Sequence, residues 1–299
     1  MLYQEIEKKG WKAQTVPAYR VKDLIDAIMG LYDKGLIDHE FYMDQLESFS
    51  YKIPSGWNEK SSIIIIAVPT PQMRIFFHLK GKRIPVIIPP TYVSYTNRTV
   101  KTQELISGWL SMKGYNCAET NLPLKTLAVC SGLASYGRNN ICYVEGLGSF
   151  LQLAAVFTDM PFSNDPWGKP EMLQRCKSCV ACIRACPTGT ITRERFLVHA
   201  ETCLTYYNES RNDFPEWIDA SWHNSLVGCM KCQAVCPENR NVIGWIEDRG
   251  EFGEAETENL ITNVPFEELS NKTAGKLRSL EINEDYGALC RNLKMLIDS

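Results

Sequence analysis

Cys176-Lys-Ser-Cys179-Val-Ala-Cys182-Ile-Arg-Ala-Cys186-Pro187 and, further on, Cys229-Met-Lys-Cys232-Gln-Ala-Val-Cys236-Pro237 are the stretches that decide how this chain is organised. The first has the spacing C-x2-C-x2-C-x3-C-P, by which two-cluster ferredoxins hold [4Fe–4S] cubanes. Three close thiolates wrap one cube, and the fourth, turned away at the proline, reaches the other. The second run repeats C-x2-C-x3-C-P without a leading cysteine nearby, and Cys203 supplies it across a long excursion. The crossed pattern assigns Cys176, Cys179, Cys182 and Cys236 to one cluster and Cys186, Cys203, Cys229 and Cys232 to the other. Structural zinc sites also use cysteine quartets, but as paired CxxC knuckles. The two x3-C-P endings and the triple CxxCxxC favour clusters over zinc or disulfides.

Working outward, 299 residues suit about two domains at roughly 150 residues each, and a hydrophobic share of 44% supplies a sizeable core. A net charge of −3 excludes a general cationic coat for nucleic acid, though not a local patch. Twelve cysteines in a chain of this length, eight of them at ligand spacing, point to reduced thiols and the cytosol rather than a disulfide scaffold. The N-terminal Met1-Leu-Tyr-Gln-Glu-Ile-Glu-Lys-Lys has no apolar signal core and no Arg-Arg pair occurs. The longest apolar run, Ile63 to Val68, is too short to span a bilayer. A soluble, cytoplasmic protein without a membrane partner is expected.

Residues 1–50 have helical periodicity, with Val21, Leu24, Ile25 and Ile28 on one face, and His39 is expected on the surface. Ser61-Ser-Ile-Ile-Ile-Ile-Ala-Val68 is a strand buried on both faces. Residues 73–79 and 83–88 form a hairpin about Lys80-Gly81-Lys82, so the sheet is antiparallel or mixed. Glu104 is the one acid between Arg74 and Lys113, in a stretch rich in Lys and Arg. This stretch is either a solvated face or a rim for an anionic ligand. Residues 100–113 predict a helix, and a second helix runs from Pro123 to about Ser131, ending at Gly132. Gly137-Arg138-Asn139 makes a tight loop before the strand Ile141-Cys-Tyr-Val. Glycines beside a helix end admit a close approach to backbone, and Arg and Asn side chains offer donors to a polar ligand. The Pro- and Gly-rich tract Ser163–Pro170 is the expected domain joint. Three consecutive segments follow: 1–165, 166–245 and 246–299. Residues 251–258 are expected as an acidic surface loop, the last forty or so as helices docked on a preceding domain, and Cys290 as a buried apolar thiol.

The order of these pieces resembles the epoxyqueuosine reductase family, in the wider group that includes reductive dehalogenases. The resemblance rests on Ser131-Gly132-Leu-Ala-Ser-Tyr136-Gly137-Arg138-Asn139, similar to that family's A-G-L-G-x-x-G-K-N, and on Gly148-Ser149-Phe150. It rests further on Cys176 to Pro187, Cys203-Leu-Thr-Tyr206-Tyr-Asn-Glu209 and Gly228-Cys229 to Asn239. It implies an α+β chain: an N-terminal α/β sandwich of the nitroreductase-like, cobalamin-binding type, then a two-[4Fe–4S] ferredoxin-like domain and a helical tail. It also implies a cobalamin near Gly132, Gly137, Arg138, Asn139 and Asn140, with low-valent cobalt reducing a tRNA-borne epoxide. Where the family carries a proton-donating aspartate, this chain reads Cys117-Ala118-Glu119-Thr120-Asn121, and Arg138 stands where the family has Lys. The chain is therefore read as a divergent relative, with Glu119 and Tyr136 as candidate proton donors.

Two classes of function follow. The first is an iron–sulfur oxidoreductase that takes electrons from a donor such as a ferredoxin or flavodoxin and passes them to a bound corrinoid. The second is an electron-transfer protein that docks and reduces a partner, for instance a corrinoid protein. A third reading keeps the tRNA reductase itself, using the basic stretch 74–113.

Overall fold

The computed structural model describes residues 2–298. Its strands are β1 (Lys12–Pro17), β2 (Ser62–Pro69), β3 (Gln72–Leu79), β4 (Lys82–Ile88), β5 (Cys117–Glu119), β6 (Ser135–Tyr136), β7 (Cys142–Tyr143), β8 (Leu151–Thr158) and β9 (Ile246–Phe252). The chain is α+β and forms two compact units that interleave along the sequence. One takes the chain up to Pro69, then Thr96–Val180 and Ile191–Glu201; the other takes Thr70–Tyr95, Ala181–Thr190 and Thr202 onward. These units are not the three consecutive segments expected. Among the described residues no helix is long and apolar enough to cross a membrane.

The first unit is a sheet of order β1-β2-β8-β5 with every pairing antiparallel. Alternation along β2 sends Ile63, Ile65 and Ala67 to one face and Ile64 and Ile66 to the other. The first face packs on Val21 and Leu24 of the helix Val21–Tyr32 and on Leu127 of the helix Leu124–Cys130. The second packs on Leu2 and Ile6 of the helix Leu2–Lys8 and on Ile106 and Leu110 of the helix Tyr95–Ser111. With helices on both faces, all four isoleucines of β2 are fully buried, and each contributes about 1.5–3 kcal/mol of transfer free energy. The sequence reading missed β1: Lys12-Ala-Gln-Thr-Val-Pro is a mostly polar edge strand inside a stretch expected to be helical. His39 lies exposed, as expected.

The hairpin joins a different sheet from the one its position in the sequence suggested. β3 and β4 pair antiparallel about Lys80 and Gly81, both in the left-handed region at φ 50° and 72°, as a two-residue hairpin turn requires. β9 then adds to β3 in parallel, giving the order β4-β3-β9 in the second unit. The expected acidic loop at 251–258 is thus the end of β9 followed by a helix, Glu254–Ile261. Of its acids Glu251 is on the solvent side of the strand, pairing with His78 and Arg83 as Asp248 does with Arg74, and Glu254, Glu256 and Glu258 belong to the helix. The inward side is Phe252, its ring stacked on Phe77 at 5.0 Å. Acid-rich outer positions hid the strand's alternation. The helices Asn271–Ser279 and Tyr286–Asp298 complete this core through Leu277, Leu289 and Leu293. Cys290 is buried there, its thiol pushed up to about 11 by burial.

Candidate metal centre and glycine loop

In the second unit, Cys186 follows the helix Ala181–Ala185, Cys203 caps the helix Leu204–Glu209, and Cys229 and Cys232 flank the start of the helix Lys231–Ala234. Cys186, Cys203 and Cys229 stand close enough to feel one another's charge. Burial pushes the thiols of Cys203 and Cys229 up, and the neighbouring sulfurs add to this. Such thiols stay protonated until a cation displaces the proton, which is how metal binding becomes coupled to proton release.

Hydrogen-bond donors converge on the same sulfurs. The Asn224 amide donates from Nδ2 to Cys229 Sγ at 3.2 Å. That amide is fixed because Nδ2 also donates to the Trp222 carbonyl and Oδ1 accepts from the Met230 N–H. The N–H and hydroxyl of Thr205 serve Cys203, and the Lys231 N–H serves Cys229. The Thr188 hydroxyl lies 3.6 Å from Cys186 Sγ. Just before Cys229, Gly228 sits at φ +65°, and a Cβ there would lie 2.6 Å from the Tyr92 ring. Asn208 Nδ2 donates to the Gly228 carbonyl at 2.7 Å, and the Tyr92 hydroxyl donates to Glu209. All twelve cysteines are free thiols. Among the described residues no three His, Cys, Asp or Glu side chains gather closely enough for a single metal ion. The donor set fits a cluster: thiols gathered around one place, with N–H groups aimed at sulfur. Tyr92 and Asn224 are supporting residues that the sequence reading missed, because nothing near either marks it as a neighbour of a cysteine.

The glycine loop belongs to the first unit. The helix Leu124–Cys130 ends with Gly132 at φ +77°, exposed and with nothing within 4 Å of where a Cβ would stand. The turn beyond it closes on itself: the Gly137 N–H donates to the Ile141 carbonyl and the Asn140 N–H to the Gly137 carbonyl. Asn139 is buried and donates from Nδ2 to the Tyr143 hydroxyl at 3.0 Å. Gly137 is packed so tightly that a Cβ would collide with Asn139 Oδ1 and the Tyr143 ring. Of the five loop residues expected to meet a cofactor, Gly137 and Asn139 therefore serve the loop itself. Gly132 and Asn140 are left accessible to a visitor.

Arg138 points elsewhere. Its Nε and Nη2 donate to the Cys176 carbonyl at 3.2 and 2.7 Å. Beside it the Tyr136 N–H donates to the Glu171 carbonyl, and Tyr136 O accepts from the Leu173 N–H. The loop is thus pinned to the segment that carries Cys176 and Cys179. Tyr136 is buried, its ring edge-on to Phe196 and its hydroxyl 3.2 Å from Thr126 Oγ1. Burial pushes its phenol well above the ordinary range. Glu119 is exposed in β5, opposite Val156 of β8, and its carboxylate makes no side-chain hydrogen bond or ion pair among the described residues. It makes no bond with Tyr136 or the loop. Cys182, which donates no ligand in the second set, is buried, with its carbonyl taken by the Cys186 N–H; the Cys236 N–H donates to the Gln233 carbonyl.

Comparison with known proteins follows the same division. A family model described as a 4Fe-4S double cluster binding domain matches residues 175–239. Solved structures of epoxyqueuosine reductase align over almost the whole chain. The one from Bacillus subtilis has a TM-score of 0.65 at 19% identity, covering 99% of this chain and 80% of that one. The chain has the epoxyqueuosine reductase fold. A structure of epoxyqueuosine reductase with an epoxyqueuosine-modified tRNA stem loop has a TM-score of 0.66 at 18% identity, with the same coverage of 99% and 80%. Among curated sequences, the epoxyqueuosine reductase of Listeria monocytogenes is 33% identical over 110 residues, 37% of this chain and 28% of that protein. That of Escherichia coli is 31% identical over 147 residues, 48% of this chain and 38% of that protein. The match thus spans well under half the length of these two curated epoxyqueuosine reductases.

Proposed function

We propose that this protein is an iron–sulfur oxidoreductase similar to epoxyqueuosine reductase. The observation that carries this reading is the gathering of the half-buried Cys186, Cys203 and Cys229, with Asn224, Thr205 and Lys231 donating to the sulfurs of Cys203 and Cys229. Cys232 completes that set, and Cys176, Cys179, Cys182 and Cys236 hold the other cluster, as the ligand spacing requires. When bound, the two clusters would supply one-electron transfer. The protein's part is to bury the sulfurs, aim N–H groups at them and exclude water.

A corrinoid would lie against the accessible part of the loop, Gly132 and Asn140, with Gly137, Arg138 and Asn139 keeping that surface in shape. Such a group supplies two-electron reduction of a substrate carbon. The chain has four histidines and no D-x-H-x-x-G pattern, so the loop residues rather than a histidine would hold such a group. Glu119, exposed and unengaged, is the better placed of the two proton donors, since the Tyr136 phenol is buried. A donor such as a ferredoxin or flavodoxin supplies the electrons, and the substrate is an electrophile, with a tRNA-borne epoxide as the less favoured case.

The alternative reading, a carrier that docks and reduces a partner, is no better supported, and its acidic segment 251–258 is partly engaged. Glu251 is engaged by His78 and Arg83, and Glu256 by Lys276. The basic stretch offered for tRNA is likewise partly spent, with Arg74 on Asp248 and Arg83 on Glu251. Anaerobic reconstitution with iron and sulfide tests the proposal: two cubanes give about eight iron atoms per chain. Titration with cobalamin then yields a base-off spectrum. Iron for one cluster only overturns the double-cluster assignment, and no spectral change with cobalamin overturns the corrinoid.

A further inference from the structure

Arg138 does not behave as a cofactor-binding side chain. Its planar fork is committed, through Nε and Nη2, to the carbonyl of Cys176, the first residue of the cysteine run. It is half-buried, and among the described residues it has no carboxylate partner. A full positive charge without a counter-ion is therefore fixed against the backbone of a residue whose sulfur is a cluster ligand. Nearby the Tyr136 backbone makes two further hydrogen bonds, to Glu171 and Leu173, so the carbonyl and the guanidinium cannot drift apart freely. Guanidinium stays charged at every accessible pH, so the field at that ligand is constant.

We infer that Arg138 is a positioning residue for the cluster that Cys176 ligates, and that its charge raises the potential of that cluster relative to the other. This rests on the assignment of Cys176 as a ligand. Reduction adds one negative charge to a cubane, and a nearby cation in a partly desolvated place stabilises the reduced form. The second ligand set has the Lys231 ammonium acting on Cys229, but it also has Glu209 of the helix capped by Cys203 nearby, bonded to Tyr92, as an opposing negative charge. The two clusters then differ in potential by design of their surroundings. The cluster beside the glycine loop is the more easily reduced and becomes the end at which electrons collect.

Redox titration followed by electron paramagnetic resonance, on wild type, Arg138→Met and Arg138→Lys, tests this with iron and sulfide counted in each. In R138M the midpoint of one cluster moves to more negative potential and the other stays; R138K falls between R138M and wild type. Loss of one cluster's iron alone in R138M also supports the positioning role, and R138K then reports the potential. The inference is overturned if R138M keeps full iron and both wild-type midpoints, if both midpoints move together, if R138M loses both clusters, or if R138K is indistinguishable from wild type where R138M has lost iron. Wild-type protein that assembles fewer than two clusters is a different failure, that of the cluster assignment itself.

Discussion

Around Cys203 and Cys229 the supporting groups come from three separate segments: Tyr92 from beyond the hairpin, Asn208 and Glu209 from the helix that Cys203 caps, and Asn224 from the loop before Cys229. The loop from Gly132 to Asn140 is instead closed by its own neighbours, Ile141 and Tyr143, within a few residues. A locally closed loop holds its shape even if contacts elsewhere loosen. A ligand set assembled from separate segments depends on the fold of the whole unit, and its energetics are correspondingly coupled.

The largest effect should come from breaking the assembled set. Cys203→Ala removes a ligand that its own neighbours in sequence cannot replace, and iron per chain should fall by about half. Cys290→Ala, the removal of a thiol buried among apolar side chains, should leave iron unchanged. Full iron in the Cys203 variant would show that the long excursion carries no ligand.

Next comes the contrast between two glycines at positive φ. Gly228→Ala meets both a left-handed backbone and the Tyr92 ring, whereas Gly132→Ala meets only the backbone. The first should cost about 2–4 kcal/mol, combining overpacking with strain, and should loosen the second cluster. The second should cost about 1 kcal/mol and leave iron content alone. Denaturant unfolding of anaerobic protein measures both. Equal costs would mean that the Tyr92 ring yields and contributes no constraint.

The same division explains what could be read in advance. Ligand spacing is local, so both cysteine runs, the helix before Gly132 and the tight turn at Gly137 were legible from residue types alone. The buried strand at Ile63–Ile66 was legible because four β-branched residues in a row have few other uses. Placement of the hairpin was not, because β3 finds its parallel partner more than 170 residues later, and nothing in Gln72–Leu79 names it. Nor was the role of Arg138 legible. Its residue type suits an anionic ligand, and only the fold shows that the carbonyl of Cys176 is what it holds.

A smaller effect tests how finely the assembled set is tuned. Asn224→Leu removes the N–H donor at Cys229 Sγ while keeping a side chain of similar size. Hydrogen bonds to cluster sulfurs raise the potential, so the second cluster alone should become harder to reduce. Taken with the Arg138 variants, each substitution should move a different cluster. Both moving the same signal would mean that the glycine loop and the assembled set serve one centre.

The smallest expected effect concerns His223, one residue before Asn224 and buried against the Phe214 ring at 4.6 Å. Neither ring nitrogen has a hydrogen-bond partner among the described residues. Burial, with a smaller contribution from the charge of Arg291, lowers its pKa below the ordinary 6.5. The unfolded chain therefore binds this proton more readily than the folded one, so stability is full above the unfolded value and declines as pH falls through it. Comparing unfolding midpoints of wild type and His223→Leu from about pH 8 to about pH 5.5 isolates that slope. The wild type should lose stability faster than the variant on acidification. Parallel curves would mean that acid finds a partner for the imidazole, and that the segment leading into Asn224 opens more easily than its burial indicates.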